Sequence, residues 1–151
     1  MSISTKLIFG PLFNNPPYVI PPKIEDLAVA FLQPFLTPTP VVTRLPNPDA
    51  SADTVNGLLR VEAAGGSMPN MFHYDMACLL HGYSPDESQA NDITNKAIAL
   101  MGAADGTTVN GFYVVATPTV GVAQRLTDPD VILPRYRAIV TWRVVGQPFN
   151  P

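Results

Sequence analysis

Apolar residues recur at helical spacing in two segments of the chain. From Lys23 onward, one stripe of a helix is formed by Ile24, Leu27, Ala28, Phe31, Leu32 and Phe35. Pro34 lacks an amide hydrogen and crowds the preceding turn, so we expect this helix to end or kink near Gln33. The sequence Ser84-Pro85-Asp86-Glu87 has the form of a capping box with Ser84 as the N-cap, so a second helix should start there and stop at Gly102.

Strict alternation of apolar and polar residues, which is typical of half-buried strands, marks the remaining regular structure. It predicts strands at 58–63, 72–83, 109–116 and 135–145, with a shorter one around 41–44. Gly65-Gly66 should end the first of these in a turn. The connection at 117–134, which contains Asp128 and Asp130, is long for so small a domain and is therefore a candidate functional loop.

The two longest predicted strands each have one apolar side. We expect the core side of the strand at 72–83 to consist of Phe72, Tyr74, Met76, Cys78 and Leu80. Its other side carries His73, Asp75 and His81 and should face solvent. The last strand should turn Trp142 and its apolar neighbours inward, and its outward side carries Arg135, Arg137 and Arg143.

The order of elements predicts an α+β fold in which two helices cover one mixed or antiparallel sheet. Residues 23–151 would form this single domain. Residues 1–22 contain five prolines and should form an extended arm, whose Phe9, Leu12, Phe13 and Tyr18 would contact the domain or a neighbouring subunit. A disordered terminus is the alternative for this segment.

Composition narrows the possible functions. Only 14% of the 151 residues are charged, compared with about a quarter in a typical globular protein, which favours a surface partly hidden by partners. The net charge of −3 disfavours direct nucleic-acid binding. A single cysteine, Cys78, excludes an internal disulfide and a cysteine-based zinc site. No stretch has the length of a signal-peptide core or membrane span, so we expect synthesis in a cytoplasm and no membrane contact.

No group of residues has the pattern of a catalytic or cofactor site. His73 and Asp75 would lie about 6.6 Å apart on one strand face, but His81 is too far along the strand to complete a metal site with them. Gly65-Gly66-Ser67 lacks the lysine and the spacing of a phosphate loop. Asp128 and Asp130 could bind a divalent cation or simply lie at an assembly surface. We therefore expect a protein without enzymatic activity, metal or cofactor.

Several segments together resemble the tail terminator proteins of long-tailed, siphovirus-type phages, particularly those of actinobacterial hosts. The similar segments are IEDLAVAFLQP at 24–34, VTRLPNP at 42–48, RVEAAGG at 60–66, and the passage from Asp128-Pro129-Asp130 through Pro134-Arg135-Tyr136 into the last strand. The resemblance covers roughly residues 22–146. The proline-rich arm departs from the shorter start of that family.

The resemblance implies a structural virion protein at the head–tail junction. Such a protein forms a homohexameric ring that caps the tail tube, ends its polymerisation and docks the head-tail connector or stopper, with DNA passing through only as cargo. Another neck component, such as a head-completion or stopper protein, is the alternative, and a small hydrolase or ligand-binding domain is a remote one. Candidate interface residues are Phe9, Leu12, Phe13, Tyr18, Arg125, Asp128, Asp130, Arg135, Arg137 and Arg143.

Overall fold

The structure, a computed structural model, describes residues 19–45, 56–127 and 133–148. Its helices are α1 (Ile24–Leu36) and α2 (Glu87–Gly102). Its strands are β1 (Val19–Ile20), β2 (Val41–Val42), β3 (Leu58–Asn70), β4 (His73–Tyr83), β5 (Thr108–Val109), β6 (Phe112–Val120), β7 (Gln124–Leu126), β8 (Arg135–Val145) and β9 (Gln147–Pro148).

One curled sheet organises the domain. Its strands follow the order β2-β3-β4-β8-β6-β5, and β7 pairs with β8 beyond the end of β6. All its pairs are antiparallel except β2 with β3, so the sheet is mixed. With two helices beside it, the predicted α+β class is confirmed.

A separate ribbon joins β1 to β9, with Val19 opposite Pro148 and Ile20 opposite Gln147. The hydroxyl of Tyr74 on β4 donates a hydrogen bond of 3.0 Å to the carbonyl oxygen of Val19, which fastens the ribbon to the sheet. Of the predicted arm, only residues 19–22 are described; the part at 1–18 lies outside the described residues.

The core lies between the helices and one face of the sheet. Leu80 of β4 and Val140 and Trp142 of β8 are fully buried there, as their alternation predicted. The Trp142 ring meets Phe31 of α1 edge-on at 5.3 Å, and its Nε1 donates to the carbonyl oxygen of Met101 on α2 at 2.9 Å. Trp142 thus joins both helices to the sheet with its one polar atom satisfied.

The first helix was expected to end or kink near Gln33. It does not end there but continues through Pro34 to Leu36. After the proline, the carbonyl oxygen of Gln33 accepts both the amide (3.2 Å) and the hydroxyl (2.8 Å) of Thr37. The Gln33 side chain donates to the Thr39 carbonyl and accepts the Val41 amide. These bonds hold the last turn of the helix and lead the chain directly into β2.

The second helix begins later than predicted. Its N-cap is Asp86, whose carboxylate accepts the Ser88 amide at 3.0 Å, so the expectation of a capping box starting at Ser84 was wrong. Ser84 instead accepts the Asp86 amide at 3.1 Å and donates to the Gln89 side chain, forming a turn that precedes the helix. The helix ends at Gly102, as expected.

Strand β3 does not end at Gly65-Gly66, contrary to prediction, but continues to Asn70. The pairing with β4 shifts between Ala63 and Gly66, which is a β-bulge. Gly65 has a φ of +78°, and a Cβ at Gly66 would lie 1.9 Å from the carbonyl oxygen of Asp75. The two glycines therefore allow the strand to bend and continue rather than to stop.

The segment predicted as one strand at 109–116 is a hairpin. Asn110 and Gly111 have φ values of 48° and 83° and form a two-residue turn between β5 and β6. The first part of the expected long connection at 117–134 contains strand, because β6 extends to Val120 and β7 continues along the same edge of β8.

Candidate functional site

The helix-free face of the sheet carries most of the polar chemistry. Cross-strand pairing places Arg60 of β3 opposite His81 of β4, and His81 opposite Arg137 of β8, so the three stand side by side. Arg135 and Arg143 share this side of β8 with Arg137, as the alternation predicted. This face therefore has a row of basic residues.

His81 is buried within this row, although the sequence predicted that it would face solvent. It is only 3% exposed, and its Nε2 lies 2.9 Å from Oε1 of Glu62. The ring of Tyr83 stacks beside it at 6.4 Å, and Arg60 reaches the same Glu62 oxygen at 3.4 Å. The prediction failed because cross-strand side chains of β3 cover the histidine, which alternation along β4 does not reveal.

Burial, together with the charge of Arg60, lowers the pKa of His81 from 6.5 to about 4. The hydrogen bond from His81 in turn lowers the pKa of Glu62, with a further contribution from Arg60. At neutral pH the pair is therefore a neutral imidazole donating through Nε2 to an ionised carboxylate. Within the described residues, the other ring nitrogen, Nδ1, has no hydrogen-bond partner.

This arrangement is suited to holding side chains in place rather than to catalysis. His81 is inaccessible to a substrate, and the nearby Tyr83 hydroxyl accepts from Arg60 at 3.4 Å. Glu62, which is partly exposed, is already engaged by both neighbours. We interpret these four residues as a polar network that fixes the side chain of Arg60 on the helix-free face.

Arg143 is paired within its own chain. Its Nε and one terminal nitrogen donate to the two carboxylate oxygens of Asp75 at 2.7 and 3.0 Å, a bidentate geometry. This bond raises the pKa of Arg143. Of the two sequence-based alternatives for Arg143, a solvated face or a neighbour's acids, neither includes this partner, because Asp75 lies directly opposite on β4.

His73 and Cys78, the remaining candidates for chemistry, do not form a reactive site. The Nδ1 atom of His73 lies 2.9 Å from the side-chain amide nitrogen of Asn70. Among the described residues there is no group of three or more His, Cys, Asp and Glu side chains that could hold a metal ion. Cys78 is buried in the core, and burial raises the pKa of its thiol to about 12, so it stays protonated.

A projecting part of the sheet carries exposed apolar side chains. We call residues 64–72, the distal part of the β3–β4 hairpin, the hairpin end; Met68 and Met71 are each 47% exposed there, and Phe72 is 54% exposed. Phe72 was predicted to lie in the core, but it lies just beyond the last residue pair of β4 with β8, His73 with Val145; its carbonyl oxygen accepts the Gly146 amide at 2.7 Å, and its side chain is exposed. Asn70 holds the turn by accepting the amides of Phe72 and His73 at 2.9 and 3.0 Å.

The predicted interface residues are only partly described. Arg125 on β7 forms an ion pair with Glu87 at the start of α2. Six of the candidates lie outside the described residues: Phe9, Leu12, Phe13, Tyr18, Asp128 and Asp130.

The hairpin end was missed by sequence reasoning. Its signal was two methionines and a phenylalanine around Pro69-Asn70, in a stretch with no charged residue. Because two adjacent glycines predict the end of a strand, the sequence pattern does not indicate that the residues after Gly65-Gly66 form an apolar projection.

Neither helix among the described residues is long and apolar enough to cross a membrane. No protein-family model matches the chain, and no curated protein matches it.

Proposed function

We propose that this chain is a structural virion protein of a long-tailed phage, located at the head–tail junction as a tail terminator. In this role it forms a ring that caps the tail tube, ends its polymerisation and docks the head connector. The observation that carries the proposal is the hairpin end, a projection with a fixed turn and three large exposed apolar side chains.

The hairpin end has the properties of a protein-binding element. Methionine and phenylalanine are enriched at the centres of protein interfaces, and clustered apolar side chains on a projection favour association over solvation. The bond from the Phe72 amide to Asn70 fixes the turn, so little order has to be gained on binding. A subunit that must grip a tube or a connector needs a preformed contact of this kind.

The sequence supports the same role in two further ways. The resemblance to tail terminators runs from about residue 22 to 146, a span that includes both helices and all the long strands. The low charged fraction of 14% fits a surface shared with partners. The buried His81 network supports an assembly protein rather than the remote alternative of a hydrolase, because its imidazole is out of reach of a substrate.

The proposal is tested by deleting the gene from the phage that encodes it and imaging the particles by negative-stain electron microscopy. We expect overlong tails detached from filled heads, because nothing would end tube growth. Tails of normal length beside leaking heads would instead assign the chain to the stopper or head-completion class. Intact infectious particles would refute any role in the neck.

The hairpin end can be tested in the same system by complementation. We expect a plasmid-borne Met71→Asp/Phe72→Asp variant to leave the overlong tails uncorrected, because two charges would occupy the apolar contact. Tyr113→Asp is the matched control, since Tyr113 is similarly exposed at 46% but lies on β6. If the double variant restored normal tails as well as wild type does, the hairpin end would not be the contact.

A further inference from the structure

A second surface, on the helix-free face, combines apolar and basic groups. We define the Arg137 patch as Ala64, Leu79, Val122, Gln124, Arg137 and Ile139, which line a shallow pocket of about 300 Å³. Val122 is 87% exposed in the link between β6 and β7, and Ile139 is exposed beside it. An aliphatic surface with a guanidinium at its border is suited to a partner that presents a carboxylate beside apolar atoms.

The charge of Arg137 is not compensated within the described residues. It makes no hydrogen bond or ion pair there, although it is half-buried. The residue opposite it on β4 is the neutral His81. The nearby carboxylate of Glu62 on β3 is already bonded to His81 and Arg60. A partly desolvated guanidinium of this kind gains most from a carboxylate supplied by another molecule.

The described residues divide their charges between the two sides of the molecule. The helix-free face has four arginines and two carboxylates: Arg60, Arg135, Arg137, Arg143, Glu62 and Asp75. The helices, which cover the opposite face, have four carboxylates and one lysine: Glu25, Asp26, Glu87, Asp92 and Lys96. Of these carboxylates, Glu87 is paired with Arg125 of β7. One side of the domain is therefore complementary in charge to the other.

The start of α2 offers a matching surface. Asp86 and Asp92 line a shallow pocket of about 600 Å³ together with Ser84, Pro85 and one basic residue, Lys96. The Asp92 side chain is exposed and has no partner within the described part of the chain. Asp86 is occupied as the N-cap of the helix, so Asp92 is the carboxylate available to an incoming guanidinium.

We propose that the Arg137 patch docks on α2 of a second copy of this chain, with Arg137 binding the carboxylate of Asp92 and Val122 entering the pocket beside it. The two surfaces lie on opposite sides of one subunit, so the contact is head-to-tail and closes into a ring if the rotation per subunit allows. This inference rests on the proposed ring and identifies its subunit interface.

A charge swap tests the contact, with light scattering after size-exclusion chromatography as the readout. We expect Arg137→Asp and Asp92→Arg each to weaken association about tenfold or more and to shift the oligomer toward monomer. The Arg137→Asp/Asp92→Arg double variant should restore the oligomer, because the pair is re-formed with opposite polarity. Circular dichroism checks that each variant folds, and Arg137→Gln replaces Arg137→Asp if that one does not.

Two control substitutions make equivalent changes of charge elsewhere. Arg44→Asp alters an exposed arginine after β2, and Asp26→Arg alters an exposed carboxylate on α1; both should leave the mass of the oligomer unchanged. If the Arg137→Asp and Asp92→Arg single variants keep the oligomeric mass of wild type, or if their double variant stays monomeric, the Arg137–Asp92 contact is overturned but the ring is not. A wild-type chain that is monomeric at high concentration would overturn both.

Discussion

The two faces of the sheet are built from alternate residues of the same strands, yet they are stabilised in different ways. On the helix-covered face, Leu80, Val140 and Trp142 are fully buried against α1 and α2. On the helix-free face, the intervening residues include His81, Arg137 and Arg143, whose interactions depend on charge and on specific partners. Stability on the first face follows from apolar area, and on the second from protonation and pairing.

This difference separates the tasks of the two faces. The covered face holds the helices in place whatever the pH, because its contacts are apolar or neutral. The open face leaves a guanidinium and several aliphatic side chains available to another molecule. Substitutions on the two faces should therefore change the free energy of unfolding by different amounts, and these changes should respond differently to pH and salt.

The largest effect is expected from removing the side chain that joins both helices to the sheet. Trp142→Ala deletes a fully buried ring, its edge contact with Phe31 and its hydrogen bond to Met101. We expect a loss of about 3–5 kcal/mol in the free energy of unfolding, measured by urea denaturation.

Thr141→Ala is the matched control, because Thr141 is the next residue along β8 and points to the helix-free face. We expect it to change the free energy of unfolding by about 0.5 kcal/mol or less. Equal losses from the two variants would mean that the faces do not differ in the way described.

A smaller effect is expected from pH. His81 has a pKa of about 4 in the folded chain and about 6.5 when unfolded, so below pH 6.5 the unfolded chain binds a proton that the folded chain does not. Stability should therefore be full above about pH 6.5 and should fall by about 3 kcal/mol as the pH drops toward 4. The lowered pKa of Glu62 acts in the same direction, since its contribution is lost as that carboxylate is protonated.

Urea midpoints measured from pH 7.5 to 4 would show this dependence. His81→Gln should flatten the slope between pH 6.5 and 4. Stability that instead falls as the pH rises through 6.5 would indicate a charged His81 paired with Glu62, contrary to the neutral form described here.

The smallest effect is expected from the pair between Asp75 and Arg143. Their side chains are 18% and 35% exposed, so solvent and salt screen the interaction. A double-mutant cycle with Asp75→Asn and Arg143→Gln should give only a weak coupling energy, and 1 M salt should reduce it. A strong coupling energy that 1 M salt leaves unchanged would place this pair in a much less solvated environment.

The elements that follow from periodicity were predictable from the sequence. The helical stripe from Ile24 to Leu32 and the alternation through Val140, Trp142 and Val144 each depend on local spacing and on burial of one side. The side of β8 on which Arg135, Arg137 and Arg143 lie follows from the same rule. These features gave the α+β class and the positions of the main strands.

Features that depend on contacts between distant segments were not predictable in this way. The burial of His81 comes from Glu62 and Arg60 on another strand, and the continuation of β3 past Gly65-Gly66 comes from its pairing with β4. Each is a tertiary contact that overrides a local preference.

The turn at Asn110-Gly111 is different, because that dipeptide is a strong hairpin signal. It was missed because the apolar residues on both sides of it were interpreted as one continuous strand. Within the candidate site, the arginine row was recognised, whereas the exposed hairpin end was hidden by the wrong strand boundary at Gly65-Gly66.

The ribbon of β1 and β9 has a mechanical consequence. Val19 and Pro148 face each other at the same end of this antiparallel pair, so tension applied to the two residues would open the pairs one after another rather than shear them together. The ribbon would yield at low force, while α1 and β8 kept their packing. A pulling experiment with handles at these two positions should therefore record a small early extension, well separated from the rupture of the sheet.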